Sequence, residues 1–383
     1  MKQTKENTDQ AEAKKKKGRR YFFNRIAMFW NHLAAISLLV SYLAPHISPE
    51  NFWLIAFFGL AYPILLFINL LFVIYWGIQL RKRAFYSLII VLAGWQLIGR
   101  YAQVSFNRTP DGSKKLLKVM SYNVKVFDLY NWSHDLKTRG KMFDLINDES
   151  PDIMCLQEFF TRDNSKQFNN LDTLMQFQKA NNTHLEYTST VRKTDHWGVA
   201  TFSVYPIVRK GKILFDTKSN NICIYSDIKI KKDTVRVYNV HLQSIQFDYG
   251  DYKFVDDVMN NKETAEELEN SKNILKRIKT AFIRRSQQTE LVAEHIANSP
   301  YPVIVCGDFN DTPSSYSYNT ISNNLKDAFV ESGNGFGRSY VSKFPSFRID
   351  YILHGPQYKA YYFRTIREEL SDHFPVCCYL EKQ

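Results

Sequence analysis

Two runs free of formal charge constrain this chain more than any other feature. Residues 26–44 hold no Asp, Glu, Lys or Arg over 19 positions, and residues 52–78 hold none over 27. A helix needs about 20 mostly apolar residues to cross a bilayer, so each run is long enough. Residues 85–98 are a shorter stretch rich in Leu, Ile and Val. They reach spanning length only with their flanks, and an interfacial or buried helix is the other reading. A cleaved leader competes for the first run, but its apolar part is about 7–15 residues and ends on small side chains. Here bulky residues surround Pro45 and a second run follows at once, so a retained anchor is expected.

Basic residues set the expected orientation. Lys14, Lys15, Lys16, Lys17, Arg19 and Arg20 precede the first run, Arg81, Lys82 and Arg83 follow the second, and 45–51 has neither Lys nor Arg. Both clusters face the cytoplasm if the N-terminus does. Three crossings then put residues from about 101 onward on the outer, periplasmic or extracellular side; two crossings leave them in the cytoplasm. The chain divides into a basic cytoplasmic tail (1–25), a transmembrane region of about three helices (26–100) and a catalytic domain (101–383). Of the net charge of +12, residues 1–25 carry +6 and 26–100 carry +3, leaving +3 for the remainder. The charge is therefore no footprint of nucleic-acid binding. The tail reads as disordered, near an anionic leaflet.

The rest of the chain buries a core: 28 Phe and 23 Tyr argue against disorder. Short runs rich in Val, Ile and Tyr at 117–124, 153–157, 199–204, 222–230, 234–242, 302–306, 348–353 and 374–380 read as strands. Helical stretches are expected at 137–147 and 263–297. This mixture predicts two packed sheets with outer helices. The five cysteines, Cys155, Cys223, Cys306, Cys377 and Cys378, fall in core-like runs and read as buried thiols. An oxidising exterior fits that usage poorly.

Polar residues end these strands beside turns: Asn123 in Ser-Tyr-Asn, Glu158 in Leu-Gln-Glu, His241 in Asn-Val-His, Asp308 and Asn310 in Gly-Asp-Phe-Asn, Asp350 in Arg-Ile-Asp, and Asp372 with His373 in Ser-Asp-His. One carboxylate after a strand is ordinarily a turn residue. Six strand ends holding only Asn, Asp, Glu and His form a polar floor at one sheet edge. That set suits hydrolysis of a phosphate ester, whose transition state spreads negative charge over oxygens. A hard divalent cation on carboxylate and amide oxygens neutralises the charge, and a histidine oriented by a carboxylate moves protons. Zinc spacing, a Walker loop, the Rossmann glycines and a Gly-x-Ser-x-Gly elbow are all absent from the sequence.

In this order the motifs resemble the endonuclease/exonuclease/phosphatase superfamily over about residues 118–380, and Gly198-Val-Ala-Thr-Phe-Ser203-Val-Tyr-Pro-Ile207 is similar to a further strand of that family. The resemblance implies a four-layer α/β sandwich, two packed β-sheets flanked by helices, here preceded by a helical transmembrane unit. It implies a Mg²⁺-dependent phosphoric ester hydrolase, with Mn²⁺ as the alternative metal. By matching motif, Glu158 is the principal metal ligand, Asn123 lies beside it and Asp372 completes the metal environment. Asp308 orients or deprotonates the attacking water, and Asn310 holds a phosphate oxygen. Asp350 orients His373, which contacts the scissile phosphate or acts as base. His241 contacts phosphate or acts as general acid, and its presence disfavours the abasic-site repair branch.

The expected substrate is a lipid headgroup or small phosphate ester at a membrane. A tethered DNA or RNA endonuclease is the alternative, and a non-catalytic membrane-bound module the third reading. The motif at Gly198 lacks the family's usual Asn, since Val199 follows, and Trp197 reads as a stacking or a packing residue. Residues 243–279, with Tyr249, Tyr252 and Phe254, read as a lid or membrane-facing arm, or else as a solvated helix. The three glycines of 333–337 with Arg338 read as a mobile loop near the site, or as plain surface.

Overall fold

The basic tail, read as disordered from the sequence, is helical here, and with the apolar runs after it forms α1 Lys2–Ser41, α2 Pro49–Phe52, α3 Leu54–Leu60, α4 Tyr62–Ile78, α5 Ala84–Ala93 and α6 Trp95–Tyr101. The structure is a computed structural model and describes residues 2–105, 109–110, 115–178, 182–215, 220–245, 267–341 and 347–383. Among the described residues no single helix is long and apolar enough to cross a membrane. Two bent pairs are, α3 with α4 at 63° and α5 with α6 at 67°. The expected unbroken helix over 52–78 is therefore divided. Pro63 explains the break: it has no N–H to give the Gly59 carbonyl four residues back, and its ring crowds that carbonyl. The second break falls at Gly94, where a Cβ would run into the Tyr42 ring.

The helical unit exposes apolar side chains and buries a few polar ones beside an apolar cluster of Ala35, Leu38, Tyr62, Ile90, Val91 and Leu97. Phe29, Phe67, Ile78 and Ile89 are exposed. Asn31 is fully buried; its Nδ2 donates to Ser87 Oγ at 2.6 Å and its Oδ1 accepts from Trp76 Nε1 at 2.8 Å. Asn69 Nδ2 donates to the Ala34 carbonyl at 3.0 Å.

From residue 117 onward twelve strands form two six-stranded sheets among the described residues. They are β1 Leu117–Asn123, β2 Ile153–Arg162, β3 Asn182–Val191, β4 Asp195–Ser203, β5 Ile207–Ile213 and β6 Ile222–Ile230, then β7 Asp233–His241, β8 Val303–Asp308, β9 Lys326–Asp327, β10 Asp350–His354, β11 Tyr358–Thr365 and β12 Val376–Lys382. One sheet runs β11-β12-β1-β2-β4-β3, the other β9-β10-β8-β7-β6-β5. Both are mixed: β1 with β2 and β7 with β8 are parallel, and the other neighbours are antiparallel. All eight strands read from the sequence are present. β3, β5, β9 and β11, not read there, are the four edge strands. β3 and β5 are half-solvated and carry charges, as edge strands do, so they lack an apolar run.

Side chains alternate across a strand. Val119, Ile153, Cys155, Val237, Ile304, Cys306, Ile352 and Val376 point between the sheets into one core. Met120, Tyr122, Met154 and Leu156 point outward onto helix α7 Thr138–Glu149 and helix α8 Asn170–Gln178. Tyr238, Val240, Val303 and Val305 point outward onto Val292 and Ile296 of α9 Glu267–Ala297 and onto α10 Tyr316–Ile321. Strands buried on both faces read as continuous apolar runs, which is why they were visible in the sequence. All five cysteines are buried free thiols.

The helical unit docks on the second sheet's side. Phe57 meets Phe282 edge-on at 5.1 Å. Ser314 Oγ donates to the Gly59 carbonyl at 2.7 Å and lies 2.5 Å from the Tyr101 hydroxyl. Arg100 Nη1 donates to the Pro313 carbonyl at 3.2 Å. Gly335 and Phe336 pair with Gln103 and Ala102, so the glycine stretch read as a loop near the site is tied to the end of the helical unit.

Candidate active site

The alternation that fills the core also builds the site. Leu117 and Val119 face inward, and so, two and four residues on, do Ser121 and Asn123. On the same inner parity lie Gln157 after Cys155, Asn239 and His241 after Val237, Asp308 after Cys306, and Asp350 before Ile352. The two parallel pairs bring the C-terminal ends of β1, β2, β7 and β8 to one edge, where His241 faces Asp308 and Asp308 faces Asp350 in register. The polar floor is thus the wet end of the inter-sheet core.

Glu158 has the wrong parity and would point outward beside Leu156. A bulge between Leu156 and Phe159 corrects this, with Glu158 itself at φ 49°. A non-glycine residue in that region is uncommon and strained, and here it turns the carboxylate into the site. Behind the bulge Gln157 Nε2 donates to Asn239 Oδ1 at 2.7 Å, and Asn239 Nδ2 donates to the Ala200 carbonyl at 2.9 Å. Both residues are fully buried and bridge the sheets.

Asn123 Nδ2 lies 3.0 Å from Asp308 Oδ2 and 3.3 Å from Glu158 Oε1. Asp308 Oδ1 accepts the Asn310 N–H at 2.7 Å, and Asn310 Nδ2 reaches the Leu242 carbonyl at 3.0 Å. Asp350 Oδ2 and His373 Nδ1 are 2.9 Å apart, and the other ring nitrogen of His373 is 3.6 Å from Asp308 Oδ2. His241 Nε2 sits 3.8 Å from Glu158 Oε1 and 3.9 Å from Asp308 Oδ2, and it is buried without a hydrogen-bond partner among the described residues. Asp372 Oδ2 pairs with Lys125 Nζ at 2.9 Å.

Electrostatics follow from burial and crowding of like charge. Burial, and then Asp372, push the Glu158 carboxyl up. Burial raises Asp308 to about 6, opposed by His373 and reinforced by Asp350. Burial lowers His241. For His373 burial works downward, but the Asp350 and Asp308 carboxylates outweigh it and raise the imidazolium pKa. Burial raises Asp372, and His373 and Lys125 more than reverse it. Two acids held up by burial, hard oxygen donors and an orphaned histidine nitrogen fit a divalent cation and an anionic ligand. Asp308, Asp350 and His373 place one ligand atom each within 4.8 Å of one another and can hold a metal ion. This trio differs from the Asn123, Glu158 and Asp372 set implied by resemblance, although Asp308 touches both through Asn123.

The sequence motifs missed three contributors. Lys125 opens a left-handed turn in which Lys125, Val126, Phe127 and Asp128 all have φ between 41° and 55°. That conformation costs roughly 1–2 kcal/mol per residue; Phe127 within it is buried and stacked on Phe143 at 5.2 Å. Arg285 is buried; its Nε donates to the Gln243 carbonyl at 2.8 Å and its Nη1 meets Asp311 Oδ2 at 3.0 Å. It ties the chain just past His241 to the chain just past Asn310. Tyr340 packs edge-on against His373 at 5.2 Å. A Lys between two valines and an Arg in a charged helix gave no signal of a role at the site. Trp197 packs against Phe160 at 5.0 Å, and Val199 is buried, which favours packing over substrate contact there. Tyr249, Tyr252 and Phe254 lie outside the described residues. The described residues of α9 inside 243–279, from 272 to 279, are exposed or half-buried, which favours the solvated-helix reading there; burial of the helix begins beyond them, at Ala281, Phe282 and Arg285.

A family model described as the Endonuclease/Exonuclease/phosphatase family matches residues 120–373. The chain belongs to this family. Its members are metal-dependent phosphoesterases, and the site above lies inside the matched residues. A domain of unknown function, DUF8431, matches residues 24–101, the helical unit. No curated protein matches the chain. Similar solved structures include a family member from Bacteroides vulgatus, at 18% identity over 70% of this chain and 100% of that one with a TM-score of 0.49. Another, from Bacteroides thetaiotaomicron, has 19% identity over 70% and 99%, TM-score 0.48. A third, from Beutenbergia cavernae, has 17% identity over 70% and 72%, TM-score 0.49.

Proposed function

We propose that this chain is a divalent-metal-dependent hydrolase of phosphate esters, held at a membrane by its N-terminal helices. The observation that carries the reading is the convergence of Asn123, Glu158, His241, Asp308, Asp350 and His373 on one strand-end edge, with His241 Nε2 buried and unpartnered. Glu158, with Asn123 and Asp372, would hold Mg²⁺ or Mn²⁺. When bound, the cation supplies positive charge to the phosphate oxygens. Asp308, with a carboxyl raised to about 6, orients the attacking water and takes its proton. The water oxygen forms a bond to phosphorus as the ester P–O bond breaks, and the departing oxygen takes a proton from solvent, to which Asp308 returns the one it accepted. Asn310 and His241 hold phosphate oxygens, and the protonated His373, oriented by Asp350, stabilises their charge.

The helical unit supports the membrane assignment by its apolar exposed surface and its buried, hydrogen-bonded Asn31 and Asn69. Its ends also differ. Arg20 reaches Gln79 at 3.4 Å, so the two basic clusters share one end. Glu50, Phe57, Gly59 and Arg100, at the other end, touch the catalytic domain. The positive-inside rule then favours a cytoplasmic N-terminus and a catalytic domain on the outer side. A site kept at a bilayer favours a lipid headgroup or small phosphate ester. A tethered nuclease is the second reading, favoured by exposed Tyr130 and Trp132 beside Lys125.

The test is hydrolysis by the full chain in detergent, with and without Mg²⁺, of plasmid DNA, RNA, a sphingomyelin-type lipid, inositol phosphates and a generic phosphodiester. Metal-dependent cleavage lost in Glu158→Ala supports the reading. A folded protein that cleaves none of them contradicts it and favours a non-catalytic module.

A further inference from the structure

Two large aromatic side chains stand in solvent within one cation of the site. Tyr130 is 60% and Trp132 48% exposed, and their rings lie 5.0 Å apart at 56°. The Lys125 ammonium sits 4.9 Å from the Trp132 ring centroid and 2.9 Å from Asp372 Oδ2. Asp372 in turn raises the Glu158 carboxyl. One lysine therefore spans from the indole to the acidic side of the phosphate site. The left-handed turn at 125–128, anchored by buried Phe127, aims this lysine and begins the segment that carries both rings.

We propose that Lys125, Tyr130 and Trp132 form a subsite for the planar ring of the phosphate ester, a nucleobase. A base presents a π-face that stacks on Trp or Tyr regardless of its identity, while the adjoining ammonium suits the ester's phosphate. A choline-type headgroup fits less well. Such cations seek aromatic faces, but here the Lys125 ammonium beside the indole repels a second cation, as it does not an uncharged base. The inference rests on the phosphoesterase reading and narrows its substrate to a nucleotide, free or within a strand.

The experiment uses the full chain in detergent and a matched pair of diesters, a thymidine dinucleotide and a ring-free bis(glycerol) phosphate. In Trp132→Ala the ratio of kcat/KM for dinucleotide over ring-free diester is expected to fall roughly tenfold or more, the scale of one stacked base, and Trp132→Phe is expected to recover most of it. An unchanged ratio in Trp132→Ala, with both diesters still cleaved, overturns the subsite while the hydrolase reading stands. Binding is read separately, without Mg²⁺, as quenching of tryptophan fluorescence by thymidine 5′-monophosphate against glycerol phosphate. Quenching that needs Trp132, in a protein that hydrolyses nothing, supports the subsite and sinks the hydrolase reading. A higher kcat/KM on single-stranded oligonucleotide than on the dinucleotide, lost in Trp132→Ala, supports the subsite and assigns a strand as the source; the reverse order, also lost, supports it and assigns the free nucleotide. If Trp132→Ala instead weakens binding to phosphatidylcholine/phosphatidylglycerol vesicles and leaves the ratio alone, the rings are a membrane contact and the proposal is overturned.

Discussion

His241 carries a buried ring nitrogen with no hydrogen-bond partner among the described residues. An unsatisfied buried donor is unfavourable, and a phosphate oxygen is the group that relieves it. Substituting His241 with Ala is expected to lower kcat by about 10²–10³-fold, the range for loss of one group that holds a transition-state oxygen, with the fold intact by circular dichroism. Steady-state kinetics check this, and a fall below threefold would remove His241 from the reaction. At this scale the sequence was informative for residues that end strands. Asn123, Asp308 and Asp350 interrupt apolar runs at inward positions, so their chemistry stood out. Lys125, Arg285 and Tyr340 did not, because their roles arise from a left-handed turn, a buried helix face and an isolated bridge to His373. None of these leaves a periodic trace.

At the scale of elements, the site depends on strand ends being held together. Arg285 does this from α9, bonding the Gln243 carbonyl and Asp311. Substituting Arg285 with Met leaves Asp311 buried beside an apolar chain. Breaking a buried pair by removing one partner costs about 3–5 kcal/mol. The variant is expected to unfold at lower denaturant and to lose turnover, through misplaced His241 and Asn310, while wild-type turnover persists at the same denaturant concentration. Urea titration with parallel kinetics reads both, and unaltered stability would contradict the assigned tie. The central strands were legible because both of their faces are apolar. The edge strands were not, because solvent permits charge there. The 52–78 run was misjudged as one helix because hydropathy and charge do not register the backbone effect of Pro63, its missing N–H and its ring against the Gly59 carbonyl.

For the whole molecule, the helical unit and the catalytic domain meet where the Gly307–Asp308–Phe309–Asn310 turn continues into Ser314. A Cβ at Gly59 would lie 2.7 Å from Ala44 Cβ and 2.9 Å from the Ser314 carbonyl oxygen. Gly59→Val is therefore expected to destabilise by about 1–3 kcal/mol through overpacking and to lower turnover with the metal site unmutated. Thermal melting and kinetics in detergent check this, and a wild-type melting point would show that the two units do not dock this way. The most direct measurement on the central claim is Mg²⁺ titration of phosphodiester hydrolysis by the full chain, wild type against Glu158→Gln. The expected result is saturable, EDTA-reversible turnover in the wild type that falls by orders of magnitude in Glu158→Gln. Turnover independent of Mg²⁺, or equal in the two proteins, would contradict the assignment of this edge as the catalytic centre.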